Sequence, residues 1–414
     1  MNKKAAAIIA AALTAACGFT GAIRAGNVPT TVTARAEGMD VASAFNARAD
    51  ELPCEFATAD QDIDALSGSR CAYVSGETFL YIDADGVLLR RADGADSAVI
   101  TGASAITHVD GDYAYVLLAG EDTSDSESDD HGWGEASSEY SAPDTGRELS
   151  AAVDWVKVSI SSGESAILLS GITSVPIISG GYAYALNESG ELIRGDLSGN
   201  SEVLYSPADS LTELRLSPAP GGIICARYEE GLQTGCAFIN AECAQSAPYW
   251  AANARFFSGY ALNYFSGEHG SGRSGLYIFS SAGEQQIDEY ASDNYEVLDG
   301  LVYYWHADPE QAYGFTDLMA FDPTSGAIES IPSGAELRAK LFIYDNTLYL
   351  TNYDSELYVL TGTNIDYAMD LTVDYSFDSD IMPDVTLFSA NDSLCALIYV
   401  DEGNGEKFAG EVAG

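Results

Sequence analysis

One stretch of the chain concentrates side chains that could do chemistry, and it reads VYYWHADPEQAYGF from 302 to 315. Trp305 and His306 stand there beside the acidic residues Asp308 and Glu310. An aromatic ring offers a flat apolar surface to a sugar ring, and imidazole and carboxylate groups form hydrogen bonds with hydroxyls. We therefore predict these four residues as ligand-binding candidates. The alternative is ordinary strand packing followed by a long hairpin loop.

A second group lies in the acidic segment between 120 and 150, which has almost no aliphatic residues. Asp125, Asp129, Asp130 and His131 follow one another closely there, and carboxylate oxygens are the ligands that Ca²⁺ prefers. The segment lacks the spacing of an EF-hand loop. We predict a solvated, disordered loop, with these four residues as metal candidates, Ca²⁺ as the one conceivable ion and no other cofactor.

Two other patterns favour a non-catalytic protein. The Asp83-Ala84-Asp85-Gly86 sequence resembles a metal loop, but its repeat equivalent Asn187-Glu188-Ser189-Gly190 indicates a hairpin turn. The sequence contains no nucleophile elbow, no HExxH zinc motif and no phosphate-binding P-loop. Glycoside hydrolysis requires two carboxyl groups at a defined distance from each other. A sequence gives no such distance, so it cannot show which two of the 63 acidic residues would form the pair.

The elements that must position these groups come from a repeat. It reads GETFLYIDADGVLLRRADGADSAVI from 76 to 100 and GGYAYALNESGELIRGDLSGNSEVLY from 180 to 205. A period near 40 residues with four short strands per unit is typical of a β-propeller, an all-β fold. In the clearest copy we predict strands at 172–178, 182–186, 191–196 and 201–205.

Eight second strands are predicted, centred on Phe79, Ala114, Ala183, Ala226, Ala261, Tyr303, Tyr349 and Ala396. One spacing, 69 residues, is too long, and the acidic segment explains it as an insert between two strands. We therefore predict a propeller over 53–414 with eight four-stranded blades, or seven if the weak fourth unit forms none. The last unit shows three strands, at 385–389, 394–400 and 407–412, and residues 53–57 are predicted to complete it.

Seven cysteines are present, of which Cys17 lies in the N-terminal segment. We expect Cys225 and Cys395 to occupy the same core position as Tyr113, Tyr182 and Tyr260 in other units, and Cys71 to lie in a first strand. Cys54, Cys236 and Cys243 are better candidates for disulfide bonds, although the pairing is open.

Residues 1–36 have the pattern of a bacterial export signal. Lys3 and Lys4 precede an alanine-rich apolar stretch, and Ala34-Arg35-Ala36 fits signal peptidase. The alternative is a lipoprotein signal with lipid attached at Cys17. Residues 37–52 are predicted to be a linker, briefly helical around 42–47.

The 63 acidic and 18 basic residues give a net charge of −45, and loss of the signal's four basic residues would make it −49. Such a field repels phosphate backbones, so nucleic-acid binding is excluded. Acidity of this kind is typical of a soluble extracellular protein, and no later stretch is apolar enough for a membrane helix.

The phrase GGYAYALNESGELIRGDLSG is similar to the repeats of uncharacterised secreted bacterial β-propellers, themselves distantly similar to the YWTD propellers of lipoprotein receptors. The resemblance covers about 60–412, although the YWTD tetrapeptide itself is absent. It implies the fold and an extracellular setting, and it transfers no catalytic residues.

We expect a monomeric, non-catalytic binding or scaffold module at the bacterial cell surface, with a protein or glycan partner. The alternative is a carbohydrate-active enzyme, a glycoside hydrolase or lyase, using carboxylates on one propeller face.

Overall fold

A computed structural model describes most of the repeat region. The described residues are 39–56, 72–75, 78–83, 86–92, 95–119, 148–266, 273–307, 315–332, 340–351, 356–370, 384–390, 393–400 and 406–413. Residues 1–36, the predicted export signal with Cys17, lie outside them. Within them, no helix has the length and apolar character to cross a bilayer.

The strands form antiparallel sheets in which each strand pairs with the next along the chain, seven sheets with four strands and a last one with three. The first four sheets contain β1 (Ala72–Ser75), β2 (Thr78–Ile82), β3 (Leu88–Ala92), β4 (Ala95–Ile100); β5 (Ala103–Asp110), β6 (Tyr113–Ala119), β7 (Glu148–Ser159), β8 (Ser165–Ser174); β9 (Ile177–Ser179), β10 (Tyr182–Leu186), β11 (Leu192–Asp196), β12 (Ser201–Tyr205); β13 (Thr212–Ala219), β14 (Gly222–Glu229), β15 (Leu232–Ile239), β16 (Ala244–Ser246). The others contain β17 (Arg255–Phe257), β18 (Tyr260–Ser266), β19 (Ser274–Ser280), β20 (Gly283–Asp288); β21 (Ala291–Leu298), β22 (Leu301–Ala307), β23 (Phe315–Phe321), β24 (Ile328–Pro332); β25 (Lys340–Tyr344), β26 (Thr347–Thr351), β27 (Glu356–Thr361), β28 (Asn364–Asp370); β29 (Asp384–Ala390), β30 (Ser393–Val400), β31 (Glu406–Ala413).

These sheets are the blades of a β-propeller. First strands of successive sheets lie against each other, as β9 does against β13 and β21 against β25. The first strand of the first sheet, β1, lies against both β5 and β29, so the first and last sheets are neighbours. Six apolar cores fill the spaces between consecutive blades from the first to the seventh.

The prediction of eight four-stranded blades is wrong: complete blades number seven, and the last three strands form a smaller sheet. The alternative of seven blades assumes that the weak fourth unit forms no blade. That assumption is also wrong, because this unit forms the complete sheet β13 to β16. Residues 53–56 form no strand. Instead Leu52, Cys54 and Phe56 pack against the core between the fourth and fifth blades. Residues 53–56 therefore do not complete the last sheet.

Each blade has two different ends. The turns between first and second strands and between third and fourth strands lie at one end, which we call the hairpin end. The connections between second and third strands and from one blade to the next lie at the other, the crossover end. The sheet orders place every blade in this arrangement.

The hairpin end is specified by local turn chemistry. Gly180-Gly181, Asp299-Gly300 and Asp345-Asn346 each put two successive residues at positive φ between paired strands. Turns of this kind match the right-handed twist of the strands, and Gly, Asn and Asp tolerate that backbone best. The repeat is therefore visible in the sequence because each hairpin needs the same few residue types.

The expected equivalence of the cysteines with the tyrosines is wrong. Tyr113, Tyr182 and Tyr260 are the first residues of their strands, whereas Cys225 is the fourth of β14 and Cys395 the third of β30. Cys225 is nevertheless a buried core residue. Cys54, Cys225, Cys236 and Cys243 are free thiols, so no Cys236–Cys243 bridge forms, while Cys71 lies outside the described residues.

The segment before the ring is packed rather than exposed. A short helix, α1 (Val41–Asn46), begins at Asp40, whose carboxylate accepts a hydrogen bond from the Ser43 amide at 3.2 Å. Its apolar residues join the core between the third and fourth blades. The predicted short helix is present, and residues 39–46 belong to the folded structure instead of forming a free linker.

Candidate functional site at the crossover end

The sequence-predicted site residues separate in the structure. Trp305 is 2% exposed and belongs to the core between the sixth and seventh blades. It therefore has the ordinary strand packing that was the alternative to ligand binding. Asp308 and Glu310 lie outside the described residues, as do the metal candidates Asp125, Asp129, Asp130 and His131. Of the predicted residues, His306 is the one described near the surface.

His306 is near the end of β22, and alternation along the strand turns it to the opposite face from Trp305. Its Nδ1 is 2.7 Å from Oδ2 of Asp288, the last residue of β20 in the preceding blade. The imidazole is 31% exposed and the carboxylate 12%. A carboxylate at Nδ1 favours the tautomer that carries its proton there, which leaves Nε2 as an acceptor.

Asp288 also fixes the connection between the fifth and sixth blades. Its Oδ1 accepts a hydrogen bond from the Tyr290 amide at 2.9 Å. The Ala307 amide donates to the Tyr290 carbonyl at 2.8 Å, so this two-residue connection is held from both blades. The Tyr290 ring stands edge-on to His306 with centroids 6.1 Å apart, and it is 43% exposed.

Below this surface lies Tyr304, which is fully buried. Burial raises the pKa of its phenol, and the nearby Asp288 carboxylate raises it further. The hydroxyl makes no hydrogen bond of normal geometry in the described structure. Tyr304 is therefore a neutral phenol that supports the Asp288 side chain from the protein interior.

A glycine permits the position of Asp288. Gly275 in β19 has φ +81°, and a Cβ there would lie 2.1 Å from the Asp288 carbonyl oxygen. No residue with a side chain fits without moving the end of β20. The sequence at 275 therefore affects the site although it carries no functional group.

On its other side, facing the fourth blade, the fifth blade makes a second aromatic contact. The Trp250 ring stacks on Phe279 with centroids 4.3 Å apart and planes 7° apart. The Asn263 amide donates to the Trp250 and Ala252 carbonyls, both at 2.7 Å, and so fixes the connection that carries Trp250. Two partly exposed aromatic rings, Trp250 and Tyr290, thus lie in the connections on the two sides of the fifth blade.

The groups that surround His306 are known only within the described residues. Within the described residues, His306 has Asp288 as its one hydrogen-bonding partner and no serine, threonine or cysteine nucleophile at bonding distance. The same part of the chain contains no group of three His, Cys, Asp or Glu side chains placed to hold a metal. The enzyme alternative depends on Asp308 and Glu310, and nothing in the described geometry favours it.

Sequence reasoning missed Asp288 and Tyr290. The segment GEQQID forms β20 although it shows no alternation of polar and apolar residues, and the next two residues, Glu289 and Tyr290, form the connection between blades. Their spacing from His306 is 18 and 16 residues, which shows no relation until blades are paired in space. The turn sequences at Asp83 and Asn187, by contrast, are equivalent as predicted: both Oδ1 atoms accept from the amide four residues on, at 2.8 and 3.0 Å.

Comparisons with known proteins leave the family open. No family model and no curated protein sequence matches the chain. Among solved structures, a computationally designed protein, Ika8, is 11% identical with TM-score 0.48, covering 84% of this chain and 97% of its own. BamB from Moraxella catarrhalis is 13% identical with TM-score 0.42, covering 86% and 96%, and YCF48 bound to D1 peptide is 10% identical with TM-score 0.40, covering 89% and 97%. The resemblance to secreted YWTD-like propellers gains no support from these comparisons.

Proposed function

We propose that this β-propeller is a non-catalytic binding module that recognises a protein or glycan through the crossover end of its fifth and sixth blades. The observation that carries the proposal is the partly exposed His306 imidazole, held by Asp288 and adjacent to the exposed Tyr290 ring. A tyrosine ring and a fixed hydrogen-bonding group together offer one apolar and one polar contact.

The site is already organised in the absence of a partner. Asp288 fixes His306 and the Tyr290 backbone at once, so neither group has to be ordered on binding. Preorganisation of this kind lowers the entropic cost of association. The net charge of −45 favours partners that are neutral or basic. The export pattern in the sequence supports a location at the cell surface, where such partners include envelope proteins and glycans.

A screen for the partner tests this proposal. The mature protein would be applied to a glycan array and used to capture proteins from envelope extract, each time beside the double variant His306→Ala/Tyr290→Ala. We expect at least one micromolar interaction that the double variant loses. The absence of any such interaction in both screens would contradict the proposal.

A further inference from the structure

Exposed apolar side chains cluster at the crossover end of the fourth blade. Leu211, Leu232 and Tyr249 all lie in or beside the connections at this end, and they are 70%, 55% and 37% exposed. Single exposed apolar residues are normal on a protein surface, whereas a group of them marks a place that contacts another molecule. We call these three residues the fourth-blade patch.

Strand pairing brings the two leucines of the patch close together. Leu232 begins β15 and is opposite Glu229 on β14, which is in turn opposite Thr212 on β13. Leu211 directly precedes Thr212. The two leucines therefore stand at the same end of strands that lie about 10 Å apart, with only β14 between them.

Hydrogen bonds fix the backbone around the patch. The Tyr249 hydroxyl donates to the Thr234 carbonyl at 2.9 Å, and the Gln233 side-chain amide donates to the Tyr249 carbonyl at 3.1 Å. These two bonds hold Tyr249 beside the start of β15. The Leu211 amide donates to Oδ1 of Asp209 at 3.1 Å. The patch is therefore organised before any partner arrives, which lowers the entropic cost of binding.

The rim of the patch is acidic. The three connections at this end of the fourth blade contain two carboxylates, Asp209 and Glu230, and no lysine or arginine. Both carboxylates are exposed, and the neighbouring Glu229 side chain is 50% exposed. The Arg227 guanidinium lies 3.5 Å from Glu229 but is largely buried. A partner with basic side chains around an apolar centre complements such a surface.

We propose that the fourth-blade patch binds an apolar protein surface flanked by lysine or arginine side chains. The two leucines favour a protein over a glycan, because an aliphatic side chain offers neither a flat ring for stacking on a sugar nor a hydrogen-bonding group. A second copy of the chain is a poor partner, since its net charge of −45 opposes association. The proposal does not depend on the site at His306 and Tyr290, which lies on the opposite side of the fifth blade.

A display library of random peptides is the probe for this surface. Peptides selected on the full chain would be titrated against the wild type and the triple variant Leu211→Ser/Leu232→Ser/Tyr249→Ser. We expect the selected peptides to combine apolar residues with lysine or arginine, and to bind the triple variant at least tenfold more weakly. Their affinity should also fall between about 50 and about 500 mM sodium chloride, because salt screens the acidic rim.

The matched control replaces exposed apolar residues of the same types elsewhere. Val203→Ser/Ile328→Ser/Tyr367→Ser changes two aliphatic residues and one tyrosine on outer strands, where they are 46%, 44% and 56% exposed. We expect wild-type affinity for this control and for the double variant His306→Ala/Tyr290→Ala.

Three results would overturn the proposal: no selected peptide, selected peptides that bind the triple variant as tightly as the wild type, or selected peptides without basic residues. Peptides that lose affinity only for the His306→Ala/Tyr290→Ala variant would also overturn it, while supporting the separate site at His306. Thermal unfolding checks that every variant is folded. Should the triple variant not unfold cooperatively, Leu211→Ser/Leu232→Ser replaces it, because this variant keeps the hydrogen bond of Tyr249.

Discussion

At the hairpin end, the first strand turns into the second through two residues in each of the six sheets whose turn is described. At the crossover end, second and third strands are connected by as few as two residues, between β14 and β15, and by as many as 28, between β6 and β7. A constant turn fixes strand register and blade shape, so it has little room to vary. Variation collects at the opposite end, where loops can acquire binding groups without disturbing the sheets.

One carboxylate from each end, Asp322 and Asp288, illustrates two different uses of the group. At the hairpin end, Asp322 accepts hydrogen bonds from the Thr324 amide at 2.7 Å and the Ser325 hydroxyl at 2.6 Å, all within its own turn. At the crossover end, Asp288 holds His306 from a different blade. A local contact stabilises one turn, whereas the contact between blades fixes the position of the His306 side chain.

The largest expected effect on stability belongs to the hairpin-end half of the third blade. Arg194 is 4% exposed, forms an ion pair with Glu202 on the next strand and donates to the Ala241 carbonyl of the fourth blade at 2.9 Å. Arg194→Ala leaves the Glu202 carboxylate without its buried partner. We expect the free energy of unfolding to fall by about 3–5 kcal/mol in denaturant titrations.

Arg91→Ala is the matched control, because Arg91 pairs with Asp96 between the same two strands of the first blade. There the side chains are 42% and 36% exposed, so the loss should be at most about 1 kcal/mol. Equal losses in the two variants would contradict the claim that burial decides the effect.

A smaller effect is expected from two glycines at opposite ends. Gly275→Ala and Gly300→Ala both place a side chain at positive φ, +81° and +79°, which costs about 1–3 kcal/mol. A Cβ at 300 has open space, whereas one at 275 meets the Asp288 backbone. We therefore expect Gly275→Ala to be the less stable variant and the one that shifts the NMR signals of His306. Equal shifts from both variants would contradict the positioning role of Gly275.

The sequence predicts the fold further than the site, and the reason is the range of the contacts. The turn at Asn187 and the strands Tyr182–Leu186 and Ser201–Tyr205 follow from neighbouring residues, and the structure places them as predicted. The contact between His306 and Asp288 joins two blades and links residues 18 positions apart in the sequence. No local sequence pattern predicts it. The packing of residues 53–56 against the fourth and fifth blades was unpredictable for the same reason.

Acid should weaken the hairpin end in a defined direction. Hydrogen bonds from the Ser325 hydroxyl and the Thr324 amide hold the pKa of Asp322 below its ordinary value of 3.8. A carboxyl whose pKa is lower in the folded state stabilises the protein above the unfolded pKa, and that contribution disappears as pH falls through the folded pKa. We expect Asp322→Asn to lower the unfolding midpoint at pH 7 and to make no difference near pH 2.

The control for this measurement is Glu242→Gln, since Glu242 is exposed in a hairpin-end turn and its carboxylate has no ion pair or hydrogen bond with any other described residue. Its effect on the midpoint should stay small at both pH values. A difference at Asp322 that persists unchanged at pH 2 would contradict the hydrogen-bonded carboxylate as its cause.

The smallest effect on stability is expected where the effect on binding is largest. Tyr290 is partly exposed and lies outside the apolar cores, so Tyr290→Ala should change the free energy of unfolding by no more than about 0.5 kcal/mol. His306→Ala also removes a partner of the largely buried Asp288 carboxylate, so its cost should be about 1–2 kcal/mol. Thermal and denaturant unfolding of the two variants beside the wild type checks this. A loss of several kcal/mol would assign the pair to the scaffold.

The central claim is tested most directly by titrating the partner found in the screen against three tyrosine and histidine variants. Tyr113→Ala is the matched control, because Tyr113 is 43% exposed like Tyr290 but begins its strand at the hairpin end. We predict at least tenfold weaker binding for His306→Ala and for Tyr290→Ala, and wild-type affinity for Tyr113→Ala. Unchanged binding of both crossover-end variants, or equal weakening by Tyr113→Ala, would contradict the account.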